Sequence, residues 1–234
     1  MDIQLYYEEQ GQGQPLLLLH GNGEDSTYFV HQMAYFSKYY RVIAVDTRGH
    51  GKSPRGTEPF TIRQFAEDLR CFMDQMGLAK AHILGFSDGG NTALVFAMTY
   101  PERVDRLILN GANLDGKGVK PSVQLPIILG YHMASHFAKK SARAKQNAEM
   151  LGLMVDDPKI PVEALAKVKA KTLVIAGDKD MIKKSHTQRI FDHLPQAQMI
   201  LLPGDHFVAH KNPKAFNEAV AAFLAAPRDN DNLE

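Results

Sequence analysis

The chain has 234 residues, 27 lysines and arginines against 26 aspartates and glutamates, and one cysteine, Cys71. That length suits one large domain with a substantial core and room for an insertion, while the near-neutral charge provides no basic field for nucleic acid, leaving a small molecule or another neutral surface as the expected partner. An intramolecular disulfide is excluded, no Cys/His spacing of a zinc site occurs, and with acids near the start and LLLL at 16–19 far too short for a signal segment or a membrane span, a cytoplasmic protein without membrane contact is expected.

From the amino end, IQLYYEEQGQGQ (3–14) reads as an antiparallel edge hairpin with GQGQ as its turn. Leu16–Leu19 is continuously apolar, as a strand covered on both faces must be. The same pattern predicts buried strands at Arg41–Asp46, Ala81–Phe86, Arg106–Gly111, Thr172–Gly177 and Met199–Gly204. Helices are predicted between them. Thr61–Met76 carries Ile62, Phe65, Ala66, Leu69, Phe72, Met73 and Met76 at helical spacing, with Cys71 read as core, and Asn91–Tyr100, Ser185–Leu194 and Pro213–Ala226 are further helical segments. Alternating strand and helix predicts an α/β fold: a mostly parallel sheet with helices on both faces and ligands beyond the carboxyl ends of the strands.

Residues 113–165 break the rhythm with apolar Pro126–Met133, a basic helix AKKSARAK (Ala138–Lys145) and Glu149–Val155. A discontinuous core of 1–112 and 166–228, a helical cap at 113–165 and a polar frayed tail at 229–234 are therefore expected. In the cap, Ile127, Ile128, Leu129, Tyr131 and Met133 either line an apolar pocket or pack on the core. His132 and His136 stand one helical turn apart but lack a nearby third ligand for a metal.

Gly85-Phe86-Ser87-Asp88-Gly89 matches G-x-S-x-G between a predicted strand and a predicted helix. A nucleophile held in so sharp a turn needs small neighbours, and the following helix aims its amino end at an anion forming beside Ser87. The pentapeptide alone equally fits a glycine-rich loop without chemistry; a phosphate-binding loop is disfavoured because no G-K-[ST] follows. A serine needs a base, and the base a carboxylate. Later strand ends supply Asp178, Asp180 and His206; spacing does not choose between the two aspartates. His210 reads as a surface residue and Asp115 as a weaker third acid. His20-Gly21-Asn22-Gly23 either forms a plain turn or brings the Asn22 amide beside that of Asp88 as an oxyanion hole.

Taken together, LLLLHGNG, VDTRGHGKS, GFSDGG, VIAGDKD and GDHF resemble the α/β-hydrolase superfamily, in family order and from Leu16 to the last helix apart from the insertion. The resemblance implies Ser87 as nucleophile, His206 as base and Asp180 as acid, without a cofactor. It makes Asp46, Arg48, Gly49, Gly51 and Ser53 a structural turn, with a direct substrate role for Arg48 as the lesser alternative. The elbow GFSDGGNTAL with Asn110–Asn113 resembles the valacyclovir-hydrolase-like esterases, which leaves two roles for the Asp88 carboxylate: pairing with a substrate cation, or bonding its own turn. Phe86, Ile128, Tyr131 and Phe207 are further candidate substrate contacts. The implied activity is hydrolysis of small carboxylic esters; a lyase or C–C bond hydrolase on the same scaffold, like the menaquinone-pathway synthase, and a non-catalytic binding protein are the alternatives. Monomer and homodimer both remain open.

Overall fold

A computed structural model describes residues 1–226, so the expected tail at 229–234 lies outside the described residues. The chain opens with strand β1 (Tyr7–Gln10), strand β2 (Pro15–Leu19), helix α1 (Val30–Phe36) and strand β3 (Arg41–Val45). Helix α2 (Ile62–Gln75), strand β4 (Ala81–Phe86), helix α3 (Asp88–Thr99) and strand β5 (Val104–Asn110) follow. Two helices, α4 (Pro121–Phe137) and α5 (Ala142–Val155), then interrupt the alternation. Strand β6 (Lys171–Gly177), helix α6 (Lys184–His193), strand β7 (Ala197–Leu202) and helices α7 (Val208–Lys211) and α8 (Pro213–Ala225) complete it.

The sheet is seven-stranded, in the order β1-β3-β2-β4-β5-β6-β7. All neighbours are parallel except β1, which runs antiparallel to β3 with Tyr7 opposite Val45. Strand order reverses at β2: β3 lies on one side of it and β4 on the other. In such sheets the loops leaving the two strands at the reversal diverge and leave a crevice, which places the HGNG turn after β2 beside the turn carrying Ser87.

The uninterrupted apolar strands have the reason the sequence suggests. Leu17, Leu19, Ile43, Val45 and Ile83 pack with residues of α2, α3 and α6, whereas Leu16, Leu18, Val42, Ala44 and Leu84 pack with residues of α1, α7 and α8. Each leucine of Leu16–Leu19 is essentially removed from water, contributing about 1.5–3 kcal/mol relative to exposure. Helix α2 starts where the Thr61 hydroxyl accepts from the Gln64 amide, a side-chain cap that satisfies one otherwise orphaned donor.

Several local expectations are corrected. The strand near the start pairs with β3 and forms no hairpin with β2, because both edges of β2 are already taken by β3 and β4. Strand β7 is only partly buried, since it is the sheet's edge. AKKSARAK spans a helix break: α4 ends at Phe137, and the Ser141 hydroxyl caps α5. Cys71 is half-buried beside Arg70, outside the core.

Helices α4 and α5 pack on each other, and Leu153 of α5 joins Ile62 and Phe65 of the core. The arginine of Arg55 grips Glu149 of α5 through two hydrogen bonds of 3.0 and 2.9 Å. On α4, Leu125, Leu129, Met133 and Phe137 are more than half exposed, whereas Ile127, Ile128 and Tyr131 are half-buried. Among the described residues, no helix is long and apolar enough to cross a membrane.

Candidate active site

Ser87 occupies a tight turn between β4 and α3. Its φ of 52° and ψ of −119° lie in a region that non-glycine residues rarely enter. The conformation is held from outside, where the Ser87 amide donates to the Asn110 carbonyl of β5 at 2.8 Å. A β-carbon on Gly85 would strike the Gly89 carbonyl, and one on Gly89 would strike the carbonyls of Leu19 and His20. The two motif glycines therefore let α3 close directly onto β2 and β4. Because the turn leads straight into helix, α3 begins at Asp88 rather than Asn91, and the Asp88 amide belongs to the first turn, whose N–H groups have no acceptor within the helix.

The turn after β7 delivers His206 to Ser87. Its Nε2 lies 3.0 Å from Ser87 Oγ and its Nδ1 2.7 Å from Asp180 Oδ1. Both His206 and Asp180 are buried, whereas Ser87 is partly exposed. Since a carboxylate accepts, Nδ1 carries the proton and Nε2 is left to accept from the serine hydroxyl. Asp180 Oδ1 also accepts the Ile182 amide at 2.8 Å, which fixes the carboxylate. Asp178 is exposed and accepts the Gly204 amide instead. Asp115 bonds the Lys117 amide, and His210 is exposed against Tyr28, so neither belongs to the cluster.

The HGNG turn is locked by a neutral histidine. His20 donates from Nδ1 to the Gly21 carbonyl at 2.7 Å and accepts the Thr47 amide on Nε2 at 3.0 Å, an arrangement that protonation of both nitrogens would break. Burial, with the neighbouring His50 adding to it, lowers its pKa to about 4. The side chain of Asn22 donates to the Met150 carbonyl of α5 at 2.7 Å, joining this turn to the cap.

Asp88 is buried, and burial pushes its carboxyl up to about 6; the nearby Asp157 acts in the same direction, and the Asn22 and Asn91 side chains oppose it. Oδ1 accepts from Asn91 at 3.1 Å, and Asn91 also donates to Asn113 at 3.0 Å and accepts its amide at 2.8 Å. Asp88 thus does bond its own helix, but its Oδ2 has no hydrogen-bond partner among the described residues.

Of the other candidate contacts, Phe86 is buried, stacked on Tyr28 with ring centres 4.4 Å apart, and stands 4.8 Å from the His206 ring. It forms the wall behind the imidazole. Phe207 is 40% exposed and lies 5.6 Å from the same ring. Tyr131 is turned toward α5, donating to Asp156 at 2.7 Å and packing against Gly152, and Ile128 lies half-buried on α4. A cleft of about 560 Å³ opens between Arg55, Phe60 and α5, but neither Ser87 nor His206 lines it.

Two features escaped sequence reading. Gly111, at φ 65°, passes so close to His206 that a β-carbon there would lie 2.7 Å from Cε1. Glu24, the residue after HGNG, places Oε2 3.2 Å from the Gly21 amide. Its only signal was adjacency to the glycine turn.

The D-x-R-G-x-G-x-S segment braces the site from outside. Asp46 accepts the Ser26 and Lys52 amides, and its carbonyl accepts the Ser53 hydroxyl. Fully buried Arg48 makes two bonds to Asp68 and reaches Asp2. Those carboxylates hold the guanidinium, and the bond to Arg48 is the chief reason the Asp2 carboxyl titrates well below the ordinary range.

Comparison with known proteins identifies the fold family. A chain of Caulobacter sp. strain K31 named as a carbamate hydrolase, RutD, is 30% identical over 94% of this chain and 96% of its own. A 2-hydroxy-6-oxo-6-phenylhexa-2,4-dienoate hydrolase of Burkholderia cepacia is 29% identical over 96% and 92%. A 3-oxoadipate enol-lactonase of Acinetobacter baylyi is 28% identical over 95% and 94%. Residues 14–132 match the family model for the alpha/beta hydrolase fold. With sheet order, elbow and relatives in agreement, the chain belongs to the α/β-hydrolase fold family and is a hydrolase.

Proposed function

We propose that the protein is a serine hydrolase of small carboxylic esters, with Ser87 as nucleophile, His206 as general base and acid, and Asp180 as the carboxylate that orients it. The hydrogen-bonded line from Ser87 Oγ through His206 to Asp180 carries this reading. Ser87 Oγ bonds to the ester carbonyl carbon while its proton passes to His206 Nε2, and the resulting oxyanion receives the Asn22 and Asp88 amides. As the carbon–oxygen bond to the leaving group breaks, His206 gives its proton to the departing alkoxide. Water then attacks the acyl carbon, His206 takes one of its protons, and the intermediate collapses to the acid as Ser87 regains its hydrogen. Asp180 supports the imidazolium in both halves. Labelling by a fluorophosphonate probe in wild type, its absence in Ser87→Ala, and turnover on an ester panel test the reading; an unlabelled wild type would overturn it.

Likeness to the dienoate hydrolase favours a second reading, attack of the same constellation on a ketone with cleavage of the adjacent C–C bond. Turnover of a vinylogous 1,5-diketone in the absence of ester turnover would select it.

A further inference from the structure

Glu24 is a half-buried carboxyl that the reaction above does not use. Its main-chain amide donates to the Gly21 carbonyl at 3.3 Å, while its side-chain Oε2 accepts the Gly21 amide at 3.2 Å. His20 donates to the same Gly21 carbonyl at 2.7 Å. Both polar groups of Gly21 are thereby held, and Asn22, whose amide faces the nascent oxyanion in the proposed reaction, stands inside the turn that Glu24 closes. Glu24 Oε2 and the Phe86 ring both flank Gly21: a β-carbon there would meet each at 3.1 Å. The Phe86 ring in turn packs on His206, with ring centres 4.8 Å apart.

We propose that Glu24 is a positioning residue for this hydrolase, one that clamps the Asn22 turn through Gly21 and adds a negative charge to the surroundings of the His206 imidazolium. The inference rests on the proposed triad. A carboxylate accepts a hydrogen bond more strongly than the neutral acid, and a negative charge near an imidazole favours its protonated form. Ionised Glu24 therefore both tightens the turn and strengthens the base.

The environment makes that charge switchable near neutrality. Burial pushes the Glu24 carboxyl up to about 7, with the Gly21 amide and the charge of His206 opposing and Asp25 adding to the rise. Asp25 and Tyr28 come from its own segment, and His206 from the turn after β7. Burial raises the Tyr28 hydroxyl, and the charges of Glu24, Asp205 and Asp180 add to the rise, which marks the acidic groups around this wall. For a carboxyl raised in this way, the neutral form prevails below pH 7 and the charged form above it.

The test is the second-order rate of fluorophosphonate labelling of Ser87 from pH 5 to 9 in wild type, Glu24→Gln and Glu24→Ala, with thermal melts recorded alongside. Glutamine keeps an acceptor for the Gly21 amide but never ionises. Wild type and Glu24→Gln are expected to label alike below pH 6 and to separate above pH 7, with wild type about three- to fivefold faster at pH 8.5, the size of a partly solvated charge interaction. Glu24→Ala is expected to be about tenfold slower at every pH, because the turn loses its acceptor. If wild type and Glu24→Gln keep a constant ratio across the range, the proposal is overturned and Glu24 is structural only; that result leaves the triad reading intact. If wild type itself does not label, the triad reading falls, and this inference with it. Should Glu24→Ala fail to fold, the glutamine comparison alone decides.

Discussion

His206 Nε2 lies 3.0 Å from Ser87 Oγ although 119 positions separate the two residues. The contact exists because β4 and β7 are parallel members of one sheet and both release their turns at its carboxyl edge. Ser87→Ala and His206→Ala are each expected to lower ester turnover by about 10⁴-fold, as for other hydrolases of this mechanism. Asp180→Asn should fall nearly as far while melting at a similar temperature. Initial rates beside circular dichroism check this, and a variant retaining a tenth of wild-type activity would contradict the assigned role.

Gly111 tests the same contact from behind. Its positive φ of 65° disfavours any side chain, and a β-carbon would lie 2.7 Å from His206 Cε1. Gly111→Ala should therefore displace the imidazole and cut Ser87 labelling by about a hundredfold, the cost of misplacing a catalytic group by roughly 1 Å. Labelling kinetics measured well below the variant's melting temperature separate this from simple unfolding.

The bracing arginine predicts loss of stability without loss of chemistry. Asp68→Ala leaves fully buried Arg48 with a single carboxylate, that of Asp2. Removing one partner of a buried ion pair costs about 3 kcal/mol or more. Urea denaturation should show that drop, while the folded fraction labels at the wild-type rate.

Two buried groups pull the pH dependence of stability in opposite directions. The pKa of His20 is depressed to about 4 from 6.5. The unfolded chain therefore takes up this proton first, and stability present above pH 6.5 declines as pH falls toward 4. Asp88 is raised to about 6 from 3.8. Its penalty is absent below pH 3.8, grows as pH rises to 6, and is on the order of 3 kcal/mol above that. Asp88→Asn should match wild type in stability near pH 4 and exceed it by about that amount at pH 7. Denaturant titrations at both values measure the difference; equal stabilities at pH 7 would refute the penalty.

The Asp88 carboxylate also has a functional test. If its unpartnered Oδ2 receives a substrate ammonium, Asp88→Asn loses most activity on α-amino esters and keeps it on neutral esters. Equal losses on both assign the carboxylate to its own turn.

Much of this was legible in the amino-acid sequence. The apolar runs determined the buried strands because a strand covered on both faces has no polar face to show, and glycine spacing determined the elbow because only small residues allow α3 to approach β2 and β4. Ser87 and His206 stood out because each follows such a strand. Tertiary structure decided the rest. One-dimensional spacing could not rank Asp178 against Asp180, since both leave β6 and only the packing of the turns leaves one exposed and presses the other against an imidazole. Nor could it show that β1 would join β3 instead of β2, which depended on β4 taking the other edge. The cap's apolar residues were visible, but which of them face water on α4 was not, because helix orientation is set by what α5 and the core leave uncovered. Glu24 illustrates the general reason: a carboxyl beside a glycine turn is an ordinary surface residue in the sequence, and its proton is held more tightly only because the folded chain buries it, against the opposing pull of the Gly21 amide and His206.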